Sequence, residues 1–379
     1  MTFYEELEIR PIVNAYATLT RLGGSRMPPE VVEAMVEASR CFVDLPELQQ
    51  RIGERIARLT RNEAAYVCSG AAAGLTVATA ACIAGTDPVK IAQLPDLTGL
   101  KDEVIVHKSH RNGYDHAVRQ VGVRIVEIGD AVSTSARDLE TALSDRTAAV
   151  VWFQGAMTGP ASLPLAEVIS IANAANVPVI VDAAAQLPPV SNLWNYTEMG
   201  AALAIFSGGK ELCGPQSSGL ILGRRDLIDA CIRNGNPNYS IGRPMKVGKE
   251  EMVGVLAAVE RYLKLDHEAR ERWCEQVVAT WNEALDRLPG VSARRDFPNE
   301  AGQPLPRSLV TVNAAETGLD RDAVIAQLWS GEPRIAVAPA DPGSFYLNPM
   351  TLDLGEERLI LDRLQKIILE SARQMENVQ

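Results

Sequence analysis

Across residues 64–223 the chain alternates short apolar runs with stretches whose apolar residues recur at helical spacing, the pattern of a sheet assembled from parallel βα units. The runs predict strands at residues 64–68, 103–107, 123–128, 148–153, 177–181, 203–206 and 219–222, with a helix over 165–175. The texture changes near Lys246. From there Met252, Val255, Val259 and Tyr262 return at helical spacing with charges on the opposite face, which predicts a long amphipathic helix. After Pro289 the segments become short and mixed, with a strand at 308–312, a helix at 322–329, a strand at 334–338 and a final helix from Gly355. This order predicts a large α/β domain followed by a smaller α+β domain, with irregular structure confined to ends such as the polar stretch after Glu370.

Composition narrows the function. With 46% hydrophobic and 22% charged residues among 379, the chain has ordinary globular usage and the length for two domains. A net charge of −11 and a pI near 5.1 oppose a nucleic-acid surface, which gains affinity from clustered Lys and Arg. The six cysteines are scattered without a C-x-x-C pair, and the four histidines form no H-E-x-x-H pair, so neither a metal site nor a disulfide framework is indicated. The acidic N-terminus has no signal-peptide pattern, and no apolar run approaches the roughly 20 residues needed to cross a bilayer. A cytoplasmic protein with no membrane or nucleic-acid partner is expected.

Candidate chemistry sits just beyond the predicted strands, where ligands bind in open α/β sheets. Tyr66-Val67-Cys68 runs into Ser69-Gly70-Ala71 and a helical stretch, an arrangement that lets a phosphate approach free amides at a helix N-terminus. The strand ending at Val181 meets Asp182, a carboxylate suited to a cationic ligand group, and Gln186 follows; taken alone, Asp182 reads more readily as a helix N-cap. Leu203-Ala204-Ile205-Phe206 leads to Ser207-Gly208-Gly209-Lys210, where a partly desolvated amine becomes a nucleophile; taken alone, Lys210 reads as a solvated loop residue. His110, after the strand ending at His107, is a ring able to cover a planar cofactor. Phosphate cup, acid and lysine in this order form the set that pyridoxal 5'-phosphate requires. A Walker loop ending at Lys210 is excluded, because Ala204 stands where Gly is needed and Glu211 where Ser or Thr is needed.

On these residues, together with Val13-Asn14-Ala15, Thr18, Thr20, Leu22-Gly23 and Gly214-Pro215-Gln216, the chain resembles the fold-type I pyridoxal phosphate enzymes. Within them it is similar to the selenocysteine synthase (seryl-tRNA selenium transferase)-like family, nearer the D-glucosaminate-6-phosphate ammonia lyase branch. The resemblance implies a mostly parallel seven-stranded central sheet flanked by helices. It implies a segment at 1–35 that contributes to the small domain and active site, a large cofactor domain at 36–245, and a linker helix with a small α+β domain at 246–379. A homodimer or higher even assembly is implied as well. Gly209 departs from the Asp expected in selenium transferases, and the Asn14 motif lies too close to the start for their tRNA-binding domain.

The expected activity is therefore a lyase acting by α,β-elimination on a small acidic β-hydroxy amino acid, such as D-glucosaminate 6-phosphate. A racemase, an aldolase or a selenium transferase-like transferase is the alternative. Lys210 and Asp182 are the expected catalytic residues. Ser69, Gly70, Ala71, His110, Gln186, Ser207 and Arg243 join them as cofactor ligands, and Asn14, Thr20, Arg21 and Arg334 are assigned to substrate acid groups. Arg26 and Arg111 lie in further segments able to face the crevice.

Overall fold

The computed structural model describes residues 2–155, 158–159 and 161–376. In chain order its strands are β1 (Ile12–Ala15), β2 (Ala64–Cys68), β3 (Glu103–His107), β4 (Arg124–Ile128), β5 (Thr147–Phe153), β6 (Val179–Asp182), β7 (Leu203–Ser207), β8 (Gly219–Gly223), β9 (Val291–Asp296), β10 (Arg307–Val312), β11 (Arg334–Pro339) and β12 (Ser344–Leu347). Contacts divide the chain into a large unit, residues 25–265, and a small unit, residues 1–24 with 266–379.

In the large unit a seven-stranded sheet has the order β2-β8-β7-β6-β5-β3-β4, parallel except for β8, which runs against both neighbours. Strands β2, β3, β5, β6 and β8 are buried along their whole length, which is why they appear in the sequence as unbroken apolar runs. Successive side chains serve opposite cores. Val150 and Trp152 of β5, Val179 and Val181 of β6, and Ala204 and Phe206 of β7 enter one cluster. Ala149, Val151 and Phe153, Ile180, and Leu203 and Ile205 enter the other.

The helix Lys249–Tyr262 begins after the N-cap Gly248 and buries Met252, Val255, Val259 and Tyr262. It packs on the helices Pro29–Ser39 and Leu45–Leu59, so this helix, expected to lead into the small domain, belongs to the large unit.

The small unit holds a five-stranded sheet, β1-β11-β12-β10-β9, with β1 parallel to β11 and the remaining pairs antiparallel. The helices His267–Leu285, Arg321–Ser330 and Glu356–Glu376 supply Trp281, Leu285, Val324, Leu328, Ile360 and Leu364 to its core. Strands β9 and β12 carry little sequence signal. Val-Ser-Ala-Arg-Arg-Asp is an edge strand with three charges, and Ser344–Leu347 is very short. The stretch expected to be irregular after Glu370 is helical to Glu376, and residues 377–379 lie outside the described residues. No helix among the described residues is long and apolar enough to cross a membrane.

Candidate active site

Register places the candidate residues along one edge of the large sheet. Cys68 and Ser207 both pair with Gly219, Asp182 pairs with Ile205 on one side and Phe153 on the other, and β3 runs parallel beside β5. The carboxyl ends of β2, β7, β6, β5 and β3 therefore share an edge, where ligands bind in this class of sheet. A cavity of about 1240 Å³ lined by Glu54, Arg58, Ala64 and Arg225 lies at the opposite edge, where β2 begins, and holds none of the predicted groups.

The turn after β2, expected to form a phosphate cup, presents a helix N-terminus to the sheet edge. Gly70 has φ +112°, and the helix Ala71–Ala84 follows it with no side-chain cap and no acidic residue in its first turn. The first helical bond is donated by Gly74 N to Gly70 O, so the amides of residues 71–73 have no intrahelical acceptor. They add to the positive end of the helix dipole. Gly219 keeps the cup close to the sheet: a Cβ there would stand 2.7 Å from the Gly70 carbonyl carbon. Ser69, Gly70, Ala71 and Ser207 are all half-buried.

Asp182 ends β6 with only 9% of its surface exposed. Its Oδ1 accepts from Ala184 N at 3.0 Å, which closes a turn; the next helix starts only at Asn192, so Asp182 is not an N-cap. Burial raises its pKa, while the Ala184 amide and the positive charge of Lys210 oppose the rise. Gln186 is buried beside it, donating to Gln154 O at 3.4 Å and accepting at its own carbonyl from Asn192 Nδ2 at 2.6 Å.

Lys210 is half-buried on a turn braced from within. Gly208 N donates to Ser218 O at 2.9 Å, Gly214 N to Gly208 O at 2.8 Å, and Cys213 N to Lys210 O at 2.9 Å. At Gly209 a Cβ would fall 2.4 Å from Gln216 Cα, so the turn in this form excludes any side chain, including an aspartate.

His110 is buried with no exposed face, its Nε2 2.7 Å from Ser162 Oγ. Its ring stacks on His107 at 4.7 Å, and both rings meet the edge of Trp152, whose Nε1 donates to Gln154 Oε1. Burial pushes both imidazoles down to about 4, and for His110 the neighbouring His107 adds to the effect. Both His107 nitrogens and His110 Nδ1 have no hydrogen-bond partner among the described residues.

Arg243 is half-buried and donates to Asn236 Oδ1 at 3.4 Å. Its turn packs on the helix that begins at the cup, since a Cβ on Gly242 would lie 3.1 Å from Val77 Cγ2. Arg111 is engaged by Asp115 and Glu127.

In the small unit the Asn14 side chain closes a turn, donating to Ala17 O at 2.8 Å and accepting from Tyr16 N at 2.9 Å. Thr20 opens a short 3-10 helix, and the exposed Arg21 lies over the Tyr16 ring at 5.2 Å. Arg334 lies over the Trp329 ring at 4.6 Å and donates to the Trp329 carbonyl.

The family described as L-seryl-tRNA selenium transferase matches residues 17–286. The chain belongs to this family. It is 34% identical over 376 residues to D-glucosaminate-6-phosphate ammonia lyase of Salmonella typhimurium (strain 14028s / SGSC 2262), covering 97% of this chain and 98% of that one. Identity is also 34%, over 97% of this chain and 92% of the relative, to 5'-C-glycyluridine monooxygenase-decarboxylase of Streptomyces sp. A solved structure of D-glucosaminate-6-phosphate ammonia-lyase superposes with a TM-score of 0.86 at 34% identity, covering 98% of this chain and 99% of that one. The architecture is that of fold-type I pyridoxal phosphate enzymes.

For this selenium transferase family member, the structure brings Ser69, Gly70, Ala71, Asp182, Gln186, Ser207 and Lys210 to one sheet edge. Sequence reasoning missed His107, Trp152 and Ser162, which contact His110, and Gln154, which accepts from Trp152 and donates its amide to the Asp182 carbonyl. The available signal was His107 and Trp152 standing at or next to the ends of strands β3 and β5, both called correctly from their apolar runs.

Proposed function

We propose that this chain is a pyridoxal 5'-phosphate-dependent ammonia lyase acting on a small acidic β-hydroxy amino acid of the amino sugar acid class, with D-glucosaminate 6-phosphate as the leading substrate. The observation that carries the reading is the placement of Asp182 and Lys210 at the carboxyl ends of the adjacent strands β6 and β7, at the same sheet edge as an uncapped helix N-terminus. The residues fit the cofactor. Asp182 is a buried carboxylate whose bond from the described residues falls on Oδ1 alone, which suits a cationic ring nitrogen, and the cup amides suit a phosphate. When bound, pyridoxal phosphate supplies the electron sink for the pair left when the substrate Cα–H bond breaks.

Lys210 is the amine that would hold the cofactor and would take the Cα proton. Asp182 holds a proton at the ring nitrogen. Ser69, Gly70, Ala71, Ser207 and Arg243 bind the phosphate, Gln186 lies alongside Asp182, and His110 with His107 forms the wall at the β3 side. Asn14, Thr20, Arg21 and Arg334 are assigned to substrate acid groups through the family resemblance. Loss of the β-hydroxyl as water, followed by hydrolysis that restores that water, gives ammonia and a 2-keto acid. Exposure of Val32, Val36, Phe42 and Val43 supports a homodimer or higher even assembly.

Equal identity to the Streptomyces relative supports a second reading, an oxygen-dependent decarboxylation of a glycyl-bearing nucleoside. Incubation with D-glucosaminate 6-phosphate and a panel of D- and L-amino acids tests the first. Stoichiometric ammonia and 2-keto-3-deoxy acid support the lyase. Solvent deuterium at Cα with inversion and no ammonia overturns it in favour of a racemase, and oxygen uptake with loss of carbon dioxide from a glycyl nucleoside favours the second reading.

A further inference from the structure

The Lys210 turn is held from outside as well as from within. Ser25, the first residue of the large unit, donates its hydroxyl to the carbonyl of Gly209 at 2.9 Å, across 184 positions of sequence. The Gly209 carbonyl belongs to the same peptide group as the Lys210 amide, so a bond to that oxygen fixes the plane from which the Lys210 side chain departs. On its other flank Gly209 lies against Gln216 with no room for a Cβ, and Cys213 N closes the turn onto Lys210 O. The peptide is thus clamped between a packed backbone and a single hydroxyl. Ser25 is half-buried, and this placement shields the bond partly from competing water.

We propose that Ser25 is a positioning residue for Lys210, its hydroxyl fixing the Gly209–Lys210 peptide and through it the aim of the lysine amine toward the edge where Asp182 ends β6. This rests on the reading of Lys210 as the amine that couples to the cofactor. Ser25 touches neither the reacting amine nor Asp182 and acts only through the backbone.

The test compares wild type, Ser25→Ala and Ser25→Thr, with two readouts. In cofactor-free protein, hydrogen exchange of amides in residues 208–214 reports the clamp directly. Addition of pyridoxal phosphate, with borohydride trapping and peptide mapping over time, reports the rate of coupling to Lys210. Ser25→Ala is expected to speed the exchange and slow the coupling by roughly five- to tenfold each, the scale of one neutral hydrogen bond, with the melting profile retained. Ser25→Thr keeps the hydroxyl and is expected to restore both. Unchanged exchange and coupling in Ser25→Ala, or failure of Ser25→Thr to restore them, overturns the proposal while the cofactor reading stands. Trapping of wild type on a different lysine overturns both.

Discussion

Asp182 ends β6, Lys210 follows the carboxyl end of the adjacent parallel strand β7, and the lysine's charge counteracts the rise in the aspartate's pKa that burial causes. Each group is costly to bury charged and less costly beside the other.

Reduction of the protein with borohydride in the presence of pyridoxal phosphate is expected to leave the pyridoxyl group on Lys210, the lysine in the glycine-braced turn after β7. Peptide mapping checks this. Label on the exposed Lys246, or on Lys249, which already bonds Ala38 O, would refute the assignment.

The raised pKa of Asp182 means that, from the ordinary carboxylate range upward, the folded chain keeps a proton the unfolded chain has released. Stability therefore falls as pH rises through that window. Cofactor-free Asp182→Asn lacks this loss, and its Tm at neutral pH is expected to equal or exceed that of wild type, with a flatter pH profile. The same variant loaded with cofactor should lose about 100-fold or more in turnover, because a neutral amide cannot stabilise a protonated ring nitrogen. Thermal melts across pH and steady-state kinetics check the two halves separately.

His107 and His110 give the opposite slope. Their pKa values drop from 6.5 to about 4 on folding, so as pH falls through that interval the unfolded chain takes up protons that the folded chain refuses, and stability is lost. His107→Phe keeps a ring against His110 and removes one titrating group. Its Tm should fall less between these pH values than that of wild type, and an identical slope in the two proteins would count against the buried-neutral assignment.

Gly219→Ala drives a Cβ to 2.7 Å from the Gly70 carbonyl carbon and must push the cup outward. About 1–3 kcal/mol of strain is expected from such overpacking. Affinity for pyridoxal phosphate, followed by absorbance titration, should weaken roughly tenfold or more, and inorganic phosphate should compete less well than in wild type.

Much of this site was legible because a strand buried on both faces is an unbroken apolar run, and a residue following such a run stands at the sheet edge. That logic placed Asp182 and Lys210 at the sheet edge, where the structure has them. It read the helix Lys249–Tyr262 as a linker to the small domain, and amphipathic spacing shows that a face is buried but not what buries it, here the helices Pro29–Ser39 and Leu45–Leu59.

The sequence by itself determined the large sheet's strands and the order of cup, acid and lysine, since both are local patterns of polarity and turn chemistry. The tertiary structure alone decided that β8 runs against its neighbours, which brings Gly219 beside Gly70, that β3 and β5 adjoin so that His107, His110 and Trp152 share one cluster, and that Ser25 meets Gly209. These contacts join residues far apart in the chain. Pairing between such residues is set by how whole elements pack, and the local period of a sequence carries no record of its partner.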